Sequence, residues 1–321
     1  MLVSQTRLRQ LLGALWLLDG LLQLQPEMFT MNMINGIMFA MNIDQPGFVG
    51  TSLRWITAES TAHLSALNIV IAVVQISLGL LLLSGRWVRP AILASIAWAL
   101  IVWYGGEGLS LLLTGQASAL TGFPGAVLLY PVLGLVVYPR APRAPRRGAT
   151  ARSDQDQDGL LPRRYLPTVL GSLFVVAALL QLQPYWWQAD QISLTIKTMV
   201  GAGGLDGVLV DPVLRALSAL TAGREIPVNL ALTLAFLGVG VGLLRARDAR
   251  RRPVLLAAAV VVVAVFWYST EALGTIFSGM ATDPNSGLLL ILLAFTCWPT
   301  GWAGQPAARR LPWPARAQPA S

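Results

Sequence analysis

Two glutamates, Glu107 and Glu271, lie in stretches otherwise apolar enough to cross a bilayer. Each follows a Trp-Tyr pair at the same distance: Trp103 and Tyr104 in one case, Trp267 and Tyr268 in the other. An ionisable group inside a membrane segment is costly and by default a candidate for holding a proton, cation or ligand. Gly105, Gly106 and Gly108 surround Glu107, where the second stretch has Ser269, Thr270 and Ala272. Small residues there admit close helix packing or a ligand. Glu271 lies about 27 Å of helix rise beyond Pro253, which puts it near the outer edge of the hydrocarbon. Two readings follow: an ion pair with Arg54 or Arg215 that fastens outer helices to a bundle, or a site for a proton, cation or ligand.

Asp19 is a third carboxylate in an apolar stretch. It reads either as a polar contact to Gln23 or Asn68 or as half of an asymmetric site. Asn68, Asn229, Trp103 and Trp267 complete the ligand candidates. Met28, Met31, Met33, Met38 and Met41 crowd one segment. Thioethers select Cu(I), which makes Met28, Met31 and Met33 weak copper candidates, but methionine is also a common apolar filler. His63 and Cys297 are the only residues of their kinds, so a multi-histidine metal site, a CxxC motif and an intramolecular disulfide are excluded. No GxSxG, HExxH or P-loop occurs in a suitable context, and no catalytic residue is assigned.

Long apolar segments must position these groups. Hydrophobic residues make up 55% of the 321 positions and charged residues 12%, a membrane composition. The net charge of +8 is almost entirely arginine, clustered between apolar runs, a pattern of membrane orientation and not of nucleic-acid binding. Eight spans are expected, roughly at 10–26, 64–84, 91–112, 123–139, 165–183, 227–244, 253–277 and 287–299. The fourth is weakened by Pro131 and the eighth is short. Of 23 basic residues only Arg54, Lys197, Arg215 and Arg224 fall on the outer side, which places both termini in the cytoplasm of a plasma membrane.

A linker at 140–164, with Asp154, Asp156 and Asp158, reads as a flexible tether, and 300–321 as a disordered tail. The aspartates lack the closing glutamate of a calcium loop. Within 27–62, the spacing of Phe29, Met33, Ile37 and Met41 predicts an amphipathic helix in the outer interface. Its counterpart begins with an aromatic anchor, Tyr185, Trp186 and Trp187, and a helix start at Asp211 and Pro212.

The chain reads as a duplication. Gly20 to Pro26, GLLQLQP, matches Ala178 to Pro184, ALLQLQP. Arg54 and Asn68 match Arg215 and Asn229, while Trp103, Tyr104, Glu107, Gly115 and Ala117 match Trp267, Tyr268, Glu271, Gly279 and Ala281. Gln23, Gln25, Gln181 and Gln183 recur at outer helix ends as interhelical hydrogen-bond candidates. Two four-span units, 1–139 and 165–299, enter and leave in the same sense, giving a parallel repeat. The expected fold is all-α and integral to the membrane: eight transmembrane helices, two parallel pseudo-symmetric repeats and outer interfacial helices.

One span, a long outer stretch and three more spans, with a first helix reading LLGALWLLDGLLQLQP, resemble the DoxX/DoxD-like membrane proteins, here in tandem. The resemblance implies a bacterial, non-catalytic membrane subunit or scaffold of a quinone- or thiol-linked redox system. A quinone or lipid would lie near Trp103, Trp267 and the two glutamates, and a membrane or extracytoplasmic protein would be the partner. The alternatives are a small-solute or ion transporter using carboxylates between the repeats, and an envelope enzyme acting on lipid-linked substrates.

Overall fold

A computed structural model describes residues 3–140, 159–201, 204–246 and 251–299. Among them the chain is all-α, without a strand. The first half runs α1 (Gln5–Leu22), the single turn α2 (Met31–Met33), α3 (Gly47–Ala62), α4 (Leu64–Ser84), α5 (Val88–Gly105) and α6 (Ala126–Val137). The second half runs α7 (Leu166–Leu180), α8 (Gln191–Thr198), α9 (Gly204–Thr221), α10 (Glu225–Arg245), α11 (Arg251–Ser269) and α12 (Asn285–Thr296).

Five helices are long and apolar enough to cross a membrane: α4, α5, α7 with its preceding turn, α10 and α11. Three of the eight expected segments fall short of that standard. Helix α1 carries Arg7, Arg9 and Asp19 within its 18 residues. Helices α6 and α12 have 12 residues each, about 18 Å of rise against about 30 Å of hydrocarbon. Large apolar side chains such as Val73, Ile101, Leu234 and Val261 point outward from α4, α5, α10 and α11. An exposed apolar surface of this kind marks a membrane or protein contact.

Within each half the first long helix packs on the second, α1 on α4 and α7 on α10. Both crossings run over glycine. A Cβ on Gly79 would come within 2.6 Å of the Leu17 backbone nitrogen, and one on the equivalent Gly240 within 2.8 Å of the Val175 nitrogen. Backbone contact of this kind supplies dispersion energy where lipid removes the hydrophobic drive for association. The halves meet through α6 and α12.

Several expectations are corrected. The outer stretch of the first half is not one amphipathic helix. It breaks into 3₁₀ turns, α2 and a π-turn over Ile34–Met38 before α3. The widened turn shifts the buried face to Met28, Met33, Ile34 and Met38. Trp186 is no interfacial anchor: it is fully buried and donates its indole N–H to the Ala117 carbonyl at 3.3 Å. Helix α9 passes through Pro212 and does not begin at Asp211. The last residues of the 140–164 tether are held, with Leu161 N–H donating to the Leu135 carbonyl at 3.0 Å and Arg163 donating to the Val3 carbonyl at 2.6 Å. The remainder of the tether, including Asp154, Asp156 and Asp158, and the 300–321 tail lie outside the described residues.

Candidate functional site: carboxylates between the two halves

Glu107 and Glu271 do the same work. Glu107 Oε1 accepts the Val127 N–H at 3.1 Å, in the first turn of α6. Glu271 Oε2 accepts the Gly287 N–H at 3.0 Å and its Oε1 accepts the Ser286 hydroxyl at 2.5 Å, in the first turn of α12. Each carboxylate therefore satisfies orphan amides at the positive end of a helix. The chain reaches back through a left-handed turn that recurs in both halves. Leu109 and Leu273 have φ of 57° and 56°, flanked by Gly108, Ser110 and Leu111 in one copy and Ala272, Gly274 and Thr275 in the other. Non-glycine residues there cost conformational energy, which the surrounding bonds must offset.

The tryptophans lock the same corner. Trp103 donates to the Pro124 carbonyl at 3.2 Å and to Ser110 Oγ at 3.0 Å, and Trp267 donates to the Pro284 carbonyl at 2.9 Å. Both prolines stand just before the capped helix. Gly125 lies against the Glu107 carboxylate so closely that a Cβ there would overlap Oε2.

The paired asparagines close the other helix ends. Asn68 donates to the Gln23 carbonyl at 2.6 Å and Asn229 to the Gln181 carbonyl at 2.9 Å, so a carbonyl at the end of α1 and of α7 finds a buried partner. Neither shared arginine reaches a glutamate. Arg54 is exposed and donates to Thr51 Oγ1 at 3.1 Å, and Arg215 pairs with Asp211 at 3.0 Å. The outer layer is therefore not fastened by the expected Arg-to-Glu pairs. The copper candidates do not converge either: Met28 and Met33 pack into an apolar cluster while Met31 faces outward.

Asp19 lies in α1 at 2% exposure. Its Oδ2 accepts the Tyr130 hydroxyl from α6 at 2.5 Å, while its enclosed Oδ1 has no hydrogen-bond partner. Asp283, in the loop before α12, is within electrostatic reach of Asp19, Tyr130, Glu107 and Glu271. Desolvation raises the Asp283 carboxyl above the ordinary aspartate range, against hydrogen bonds from Thr282 and the Asn285 N–H that lower it. Among the described residues no arginine, lysine or histidine pairs with any of these four carboxylates.

Their counterparts form a contrasting chamber. Counting from the LQLQP strings, Asp19 corresponds to Ala177; counting from the prolines before α6 and α12, Tyr130 corresponds to Leu290 and Asp283 to Phe123. Ala177, Leu290 and Phe123 all line one apolar cavity of about 20 Å³, with Phe174, Phe236 and Phe266. The first set is a buried polar cluster and the second an apolar cavity, and the three differences fall together in space. Gln181 reaches from the second half to Ser118 Oγ at 2.8 Å, stitching the halves beside them.

Tyr130 and Asp283 escaped the sequence reading. Tyr130 looks like an ordinary aromatic in an apolar run, but the string Asp283-Pro284-Asn285 is a helix-start signal that could have been read. No family model, curated protein or solved structure matches the chain.

Proposed function

We propose that this chain is a non-catalytic multi-pass membrane subunit of a bacterial plasma membrane. In this reading α1, α4, α5 and α6 and their counterparts α7, α10, α11 and α12 make eight spans in two parallel repeats, with both termini in the cytoplasm. The short α6 and α12 reach the outer face through the capped turns that precede them. The observation that carries the reading is that both shared glutamates are engaged as helix caps in equivalent corners, which gives these embedded carboxylates a structural task. The resemblance to DoxX/DoxD-like proteins adds the redox setting, with a quinone or thiol system and a membrane or extracytoplasmic partner. Crosslinking in native membranes, followed by purification and lipid extraction, tests it. A defined partner or a retained quinone is expected; a chain recovered alone with neither overturns the reading.

A second reading, ion or small-solute transport at the seam between the repeats, is favoured by one observation: the unpartnered Asp19 Oδ1 in a buried polar cluster whose counterparts line an apolar cavity. Proteoliposomes under a pH or sodium gradient test it. Flux abolished by Asp19→Asn supports transport, and equal flux in the variant removes it.

A further inference from the structure

The second half carries a groove between α10 and α11. Helices α10 and α11 flank a volume of about 820 Å³, walled by Leu237, Val254 and Leu255 and floored at Gly238; Leu255 lies over Gly242, where a Cβ would come within 2.6 Å of its Cδ2. Arg245, the last residue of α10, and Arg251, the first of α11, stand at its mouth. Counting from the asparagines, Gly238, Gly242 and Arg245 correspond to Ser77, Leu81 and Ser84; counting from the Trp-Tyr pairs, Arg251 corresponds to Trp87. The second copy has the smaller residue at both glycine positions; the first copy carries its guanidinium groups at other positions of the equivalent turn, Arg86 and Arg89.

Charge decides what fits. Among the described residues neither arginine has a carboxylate partner, and the N-terminus of α11 adds the positive end of its dipole. Basic pockets between membrane helices suit acidic lipid headgroups. The apolar floor runs away from that rim, as an acyl chain does from its phosphate. We propose that the groove binds one anionic phospholipid, with an acyl chain along Gly238 between Leu237, Val254 and Leu255 and its phosphate between Arg245 and Arg251. This inference rests on the reading of α10 and α11 as membrane spans.

The full-length chain, in nanodiscs of phosphatidylcholine with or without phosphatidylglycerol, provides the test by native mass spectrometry and thermal unfolding. Phosphatidylglycerol is expected to be retained selectively and to raise the melting temperature. The double substitution Arg245→Gln/Arg251→Gln is expected to weaken retention about tenfold or more. Gly238→Leu fills the groove, and since a Cβ there meets nothing within 4 Å the fold should persist while the lipid is lost. Equal retention of both lipids, undiminished retention in the double variant, a second copy of the chain seated in the groove, or the same stabilisation by inorganic phosphate alone would each overturn the proposal. Release of the chain from membranes by alkaline extraction would instead overturn the membrane reading itself.

Discussion

Tyr130 donates its hydroxyl to Asp19 across the contact between α6 and α1, whereas their counterparts Leu290 and Ala177 face an apolar cavity. Because the polar pair is absent as a unit from the other copy, it should behave as a unit. Tyr130→Leu alone strands a buried carboxylate, and Asp19→Ala alone strands a hydroxyl, each at a cost of about 1–3 kcal/mol. Together they should cost less than their sum by about 1–3 kcal/mol, measured as coupling in a double-mutant cycle of unfolding in detergent. Strict additivity would mean that the pair is not an interacting unit.

The caps are unequal. Glu271 accepts two hydrogen bonds at the start of α12 and Glu107 one at the start of α6. Glu271→Ala is therefore expected to destabilise by about 2–3 kcal/mol and Glu107→Ala by about 1 kcal/mol. Hydrogen exchange at the first turns of α6 and α12 reads the loss locally.

Gly125 and Gly115 both have positive φ, at 99° and 79°. Only Gly125 is crowded, by Glu107, Ser110 and Trp103, while a Cβ on Gly115 would meet nothing within 4 Å. Gly115→Ala should cost about 1 kcal/mol in backbone strain. Gly125→Ala should cost about 2–4 kcal/mol, since overpacking adds to the strain, and it should shift Trp103 fluorescence. Equal melting temperatures for the two variants would contradict this geometry.

Much of this architecture is legible in the residues. Most of the apolar segments end within a few residues of the helices because arginine clusters, prolines and glycines interrupt them, but the spans expected at 91–112 and 253–277 run past the ends of α5 at Gly105 and α11 at Ser269 into the turns that carry the glutamates. The duplication pairs Asn68 with Asn229 and Glu107 with Glu271, and the structure gives each pair the same task. What the glutamates touch is not legible. It depends on left-handed turns at Leu109 and Leu273, and leucine carries no signal for that conformation. The methionine spacing misleads for a different reason: the π-turn at Ile34–Met38 changes the phase of the helix, and a fixed period of four residues cannot anticipate it.

Asp283 offers a pH test with a definite sign. An unfolded aspartate ionises near pH 3.9, whereas desolvation holds the folded group above that value. The native state thus binds the proton more tightly, and this contribution weakens folding as pH rises from the unfolded value through the folded one. Asp283→Asn keeps an acceptor for the Asn285 N–H and removes the charge. Its stability relative to the parent chain should rise across that window and then level off; a parent chain that gains over the variant with rising pH would reverse the assignment.

The meeting of α6 with α12 has a genetic consequence. Two identical subunits joined by such a contact would be bound to carry identical chambers, because every substitution would appear on both sides of the axis. Joining the two units in one reading frame lifts that constraint. Asp19, Tyr130 and Asp283 could then stand on one side while alanine, leucine and phenylalanine closed the other. A duplicated unit in one chain is free to have a front and a back.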